Sequence, residues 1–166
     1  MEASFEEFVL AHGDALVRFA VMLCGDRGRA EDLVQTALLK SYPRWERMAA
    51  MDAPAAYVRT IVVREHLRWW RRRSSTEILG ATVDADVVDA ADAAQAHADR
   101  DAAWALLARL PRRQRAVLVL RFYEDLSDAA IAEILGCRET TVRSQAARGL
   151  AALRAVAADI DREALP

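Results

Sequence analysis

One short stretch carries residue types suited to reading nucleic acid. Thr140, Thr141, Arg143, Ser144, Gln145 and Arg148 are interleaved with Val142, Ala146, Leu150 and Leu153, and these apolar residues recur at spacings of four, four and three. That period predicts a helix with one buried stripe and the polar residues near or on its free face. Arginines can reach guanine edges or phosphates, glutamine can reach adenine, and hydroxyls can contact phosphate or base. Nothing comparable points to catalysis. His12, His66 and His97 are scattered, and Cys24 and Cys137 lack metal-type spacing. No carboxylate pair, nucleophile elbow or phosphate loop is present in the sequence. A non-enzyme without metal or cofactor is expected.

The residues before this stretch predict how it is held. Ser127 can cap a helix Asp128–Leu135 whose Ile131, Ala132 and Leu135 face inward. Gly136 can take the left-handed conformation that ends it, and Cys137 plugs the corner. Two helices at so tight a corner form a helix-turn-helix, whose second helix suits the major groove. Arg112, Arg113 and Arg115 are expected to add cations from the preceding helix. Ala146, Ala147 and Gly149 are expected to thin the helix where a groove would crowd it. The alternative is an αα-corner in a helical core with a solvated outer face. The cationic bias favours DNA.

Almost every other segment also reads at helical period, so an all-α fold of two small bundles is expected. The spacing predicts a capping box at Ser4 and Glu7 opening a short helix to about Ala11. It predicts a second helix from Asp14 to Leu23, and a third, capped by Asp26, from Arg29 to about Tyr42. The third buries Ala30, Leu33, Val34, Ala37, Leu38 and Leu39. "RWERMAAMDAP" reads as a loop, and Pro54 opens a long helix to about Arg73. In that helix Trp69 is placed in the core, continuing a stripe of Val58, Val62 and Glu65. "DRDAAWALLARL" and "PRRQRAVLVLRFYEDL" supply two more helices.

Net charge is −2 over 166 residues but unevenly spread. Residues 1–73 carry +2, residues 74–99 carry −6, residues 100–154 carry +4 and residues 155–166 carry −2. The acidic, aromatic-free run 74–98 reads as a flexible linker. The domains are therefore 1–73, a linker 74–98, 99–158 and a tail 159–166. The acidic N-terminus lacks a signal-peptide core, and no run approaches the roughly 20 apolar residues of a membrane helix. A cytoplasmic protein with reduced cysteines and no membrane insertion is expected.

The block "LPRRQRAVLVLRFYEDLSDAAIAEILGCRETTVRSQAARGLAALR" resembles region 4 of sigma-70-type factors, although a response-regulator output domain uses a similar corner. "GDRGRAEDLVQTALLKSYPRWERM" followed by "PAAYVRTIVVREHLRWWRRR" looks like sigma region 2. Both blocks in that order resemble the extracytoplasmic-function (ECF) sigma factors, most of all the actinobacterial SigE-type branch. The resemblance implies promoter-specific initiation with core RNA polymerase, through its β′ clamp and β flap, on promoter DNA. An anti-sigma factor is a further candidate partner. It implies that Glu31, Asp32 and Gln35 dock on the clamp; by themselves they would equally suit a solvated acidic helix start. It implies that loop 46–53 and the following helix capture the −10 element. Arg59, Arg64, Arg68, Arg71 and Arg72 would supply cations there, and Trp70 an aromatic contact. Thr140, Thr141, Arg143, Ser144, Gln145 and Arg148 would read the −35 element, and the linker would thread the polymerase channel. Many relatives carry Asn at Arg64, Gly at Thr140, Arg at Gln145 and a larger residue at Ala147. The rival functions are a stand-alone helix-turn-helix regulator and an enzyme acting on nucleic acid.

Overall fold

The computed structural model describes residues 3–76 and 105–163. It divides into two compact units, Met1–Ala81 and Thr82–Pro166. The described residues are helical with no strand. Most of the stretch read as a linker, and residues 99–104 of the helix read to follow it, lie outside the described residues.

In the first unit α1 (Phe5–Cys24), α2 (Arg27–Ser41) and α4 (Pro54–Thr76) pack pairwise on one another. The capping box at Ser4 and Glu7 forms as expected. The break expected near Ala11 does not occur, and α1 runs on through Gly13 and Asp14. A mid-helix glycine costs only about 1 kcal/mol. Here Phe8, Leu16, Phe19, Ala20 and Leu23 lie on one continuous buried stripe, which outweighs that cost. Gly25 closes α1 in the left-handed conformation (φ 72°), and the Asp26 carboxylate then accepts from the Arg29 amide to open α2.

"RWERMAAMDAP" is not a simple loop. A 3-10 turn, Tyr42–Arg44, leads into α3 (Trp45–Ala49), so only residues 50–53 of the proposed capture loop are irregular. The reason is Trp45, a core residue that stacks near Phe5 and Phe8 and donates Nε1–H to the Ala3 carbonyl at 3.0 Å.

The second unit begins, among described residues, with helical positions 105–108. Next come α5 (Arg112–Leu118), a π-helical turn (Val119–Tyr123), α6 (Asp128–Leu135) and α7 (Glu139–Glu163). Residues 159–163, read as tail, continue α7. The Ser127 hydroxyl accepts from the Ala130 amide and Gly136 ends α6 at φ 64°, as the spacing predicts. The Cys137 amide donates back to the Ala132 carbonyl, but its side chain is only half-buried.

α7 packs on α5 and α6 through Val142, Ala146 and Gly149. Leu150 and Leu153, expected inside, are half-buried. A Cβ on Gly149 would lie 3.0 Å from Leu118 Cδ1. Ala146 and Gly149 therefore thin α7 toward its own domain, and of the three small residues only Ala147 faces outward.

Candidate nucleic-acid and polymerase interfaces

On α7 the free face is a stripe of Thr140, Ser144 and Arg148, all exposed and four residues apart. The Ser144 hydroxyl donates to the Thr141 carbonyl at 3.0 Å. Thr141 and Gln145 are half-buried along one edge of the stripe. Arg143 lies on the other edge and leans to α6, with Nη2 3.2 Å from Glu139 Oε2 and Nε 3.5 Å from Asp128 Oδ2. The six residues thus share one side of the helix, with Arg143 engaged by carboxylates rather than projecting freely.

The expected contribution of Arg115 is overturned. It is 1% exposed, with Nε donating to the Leu107 carbonyl and Nη2 to the Ala108 carbonyl, both at 2.7 Å. These carbonyls end the helical residues 105–108, where backbone acceptors run short of partners within the helix; the Leu107 carbonyl also accepts from the Leu110 amide at 3.1 Å. A cation there satisfies them and suits the negative helix end.

The arginines of α4 split into two sets. Arg64, Arg68 and Arg71 recur at helical spacing on the side opposite Val58, Val62 and His66, with Arg72 beside them, and all four are exposed. Arg59 lies about 140° away from Arg64 by helical rotation. It is half-buried toward the core side, so the structure does not bring it together with the others.

Trp69 also departs from expectation. It is exposed at 36%, whereas the inward stripe is Val58, Val62, Val63 and His66. Glu65 lies beside that stripe and pairs with Lys40 of α2 at 2.5 Å and with Arg68 at 3.7 Å. The two tryptophans meet edge to face, with centroids 4.5 Å apart. Arg29, from the start of α2, places its guanidinium 3.8 Å from the Trp69 centroid and 5.0 Å from that of Trp70. Arg73 closes on Trp69 at 5.1 Å. Burial lowers the pKa of Arg29 and the nearby Arg73 adds to this, while Cys24 and Asp26 oppose it. A guanidinium so placed stays charged and fixes both rings by cation–π attraction.

On α2, Glu31, Asp32 and Gln35 are exposed together, Glu31 pairing with Arg27 at 3.0 Å. Leu39 is not in the core. It is 73% exposed, and Tyr42 at the end of the helix is 62% exposed. Both follow Glu31 and Gln35 at helical spacing, so one outer face is acidic at its start and apolar at its end. Continuing the spacing of the acidic residues through the helix would have exposed this; assigning each leucine to the core concealed it.

Residues 8–76 match the family model "Sigma-70 region 2" and residues 100–153 match "Sigma-70, region 4". The chain is 39% identical over 163 residues to the RNA polymerase sigma-E factor of Streptomyces coelicolor, covering 97% of this chain and 91% of that one. The chain belongs to the ECF sigma factors of the sigma-70 family. It is also 31% identical to the ECF RNA polymerase sigma factor SigL of Mycobacterium tuberculosis, over 93% of this chain and 86% of that one. Among solved structures, the sigma factor RpoE in complex with the anti-sigma factor NepR, from Bartonella quintana, superposes with a TM-score of 0.65. It is 25% identical, with 90% of this chain and 94% of that chain covered. The match to region 2 falls within the first unit and the match to region 4 within the second. The protein acts as a sigma factor, with core RNA polymerase and promoter DNA as its partners. No helix among the described residues is long and apolar enough to cross a membrane.

Proposed function

We propose that this sigma factor divides promoter recognition between its two helical units and holds core polymerase through a third surface. The stripe Thr140, Ser144 and Arg148, flanked by Arg143, Gln145 and Thr141, reads the −35 element. Arg64, Arg68, Arg71 and Arg72 follow the separated backbone at the −10 element. Trp70, fixed by Arg29, lies at the same end of α4, and Trp69 offers the more accessible ring for an unstacked base. Arg59 stands apart and serves α4 from its core side. Glu31, Asp32 and Gln35, extended by Leu39 and Tyr42, form the surface that docks on the β′ clamp. The sequence blocks 1–73 and 99–158 are the corresponding functional domains, and the β flap is a further contact of region 4.

The observation that carries the reading is the free polar stripe on the second helix of a helix-turn-helix, backed by a buried, close-packed opposite face. An anti-sigma partner is part of the proposal, supported by the RpoE–NepR structure to which this chain is similar. So are a cytoplasmic location and the absence of chemistry in the chain itself, the polymerase supplying catalysis.

Run-off transcription with core polymerase tests the reading. Transcripts should start at a promoter selected by the reconstituted holoenzyme and vanish without this protein. Arg143→Ala should lower discrimination at the −35 element and Arg148→Ala should weaken promoter binding, both leaving core binding intact. Tight duplex binding by the protein alone, with no transcript, would instead mark a stand-alone regulator.

A further inference from the structure

Three successive pieces of the second unit meet at one carboxylate. Asp128 is the first residue of α6, and its side chain is only 18% exposed. Arg121, from the π-helical turn, places Nη2 3.0 Å from Asp128 Oδ1 and 3.1 Å from Oδ2. Arg143, from α7, approaches Oδ2 at 3.5 Å and Glu139 at 3.2 Å.

The two arginines are not equivalent. Arg121 bridges both carboxylate oxygens and is 33% exposed, while Arg143 makes the longer contact and is 59% exposed. A mostly buried carboxylate is costly to leave without a cation. Arg121 stays as that cation, so Arg143 can depart for DNA without stranding the charge. The Arg143–Glu139 pair is an exposed helical pair and holds only weakly. Arg143 is therefore parked between two carboxylates and is releasable.

We propose that Asp128 is a positioning residue for promoter reading, setting the threshold at which Arg143 leaves its parked position for DNA. The proposal rests on the assignment of α7 to the −35 element. A base pair that offers well-aligned acceptors competes successfully with the carboxylates. The cost of leaving the carboxylates is the same for every DNA sequence, so parking lowers the affinity that Arg143 adds to any −35 contact. Without Asp128 the arginine would engage any nearby anionic group more readily.

The experiment uses holoenzyme reconstituted from core polymerase and the full chain. Its probes are a promoter selected from a library randomised at −35 and the same promoter with −35 scrambled. Asp128→Asn keeps the shape and removes the charge. Affinity for the selected promoter should rise by about five-fold, the upper scale of a part-exposed ion pair, with a rise at the scrambled promoter no larger than this. In an Arg143→Ala background the same substitution should leave affinity unchanged, because the cycle isolates the coupling between the two residues. A general loosening of the fold would lower affinity in both backgrounds.

Should Asp128→Asn fail to fold, Glu139→Gln on the exposed side of the cradle repeats the test, with a smaller rise that also disappears with Arg143. Unchanged affinity, or an equal change in both backgrounds, overturns the proposal. If Arg143→Ala leaves −35 discrimination intact, the assignment of α7 itself fails and the proposal with it.

Discussion

Replacing Arg115 with methionine separates a structural cation from a DNA-contacting one. Methionine keeps most of the apolar stem and removes both donors. The Leu107 and Ala108 carbonyls each lose a bond of 2.7 Å at a helix end packed within the unit, the Leu107 carbonyl keeping only the Leu110 amide at 3.1 Å. A hydrogen bond to a charged group contributes about 1.5–3 kcal/mol. Two such bonds, taken at the low end because methionine is itself easily buried, amount to about 3 kcal/mol. A single core of this size supplies only about 3–5 kcal/mol, so the loss takes most of what the second unit has. At roughly 4–8 °C per kcal/mol for a domain this small, the midpoint should fall by at least about 12 °C. The assay is thermal unfolding of the full chain by circular dichroism. Hydrogen exchange should localise the lost protection to residues 105–163, with binding to core polymerase through α2 retained. An Arg115→Met protein that melts like the wild type yet loses −35 reading would refute the reasoning. Arg115 would then be a DNA contact that leaves its buried position on binding.

Leu39→Asp should weaken binding to core polymerase by at least about ten-fold. Its unfolding free energy should stay within about 0.5 kcal/mol of wild type, as for other exposed positions; titration of labelled core enzyme and urea melts check the pair. Arg29→Ala should free the two edge-to-face indoles, shifting their fluorescence and destabilising the first unit by about 1–2 kcal/mol, read by emission spectra and urea unfolding. Arg148→Ala should weaken promoter binding by the holoenzyme more at low salt than at high, and should reduce the salt slope by about 1 if the side chain meets phosphate. A loss indifferent to salt would place Arg148 on a base edge.

What was legible in the residues was local. Ser127 and Gly136 bracket α6 because a hydroxyl cap and a left-handed glycine act within one turn. Asp26 opens α2 and Ser4 with Glu7 opens α1 for the same reason. The polar composition of 140–148 announced a recognition surface because every side chain on it comes from one helix. Misreadings arose where a local signal competed with distant packing. Asp14 resembles a cap, yet α1 continues because Phe8 and Leu16 are buried together. "RWERM" resembles a loop, yet Trp45 is drawn into the core beside Phe8 and its backbone follows as helix.

The sequence alone determined the all-helical character, the corner at Gly136, the family and the side of α7 that carries the polar residues. Each follows from periodicity, caps or motif order along one chain segment. Only the tertiary structure decided what individual long side chains do. Arg115 turns inward because it can donate to two helix-end carbonyls, eight and seven residues earlier. Leu39 turns outward because α1 and α4 cover the other side of α2. Trp69 lies at the surface under Arg29, forty positions earlier in the chain, and Arg143 is restrained by a carboxylate from the preceding helix. Arginine, leucine and tryptophan can each be buried or exposed at modest cost, so their placement follows from the neighbours that folding brings together.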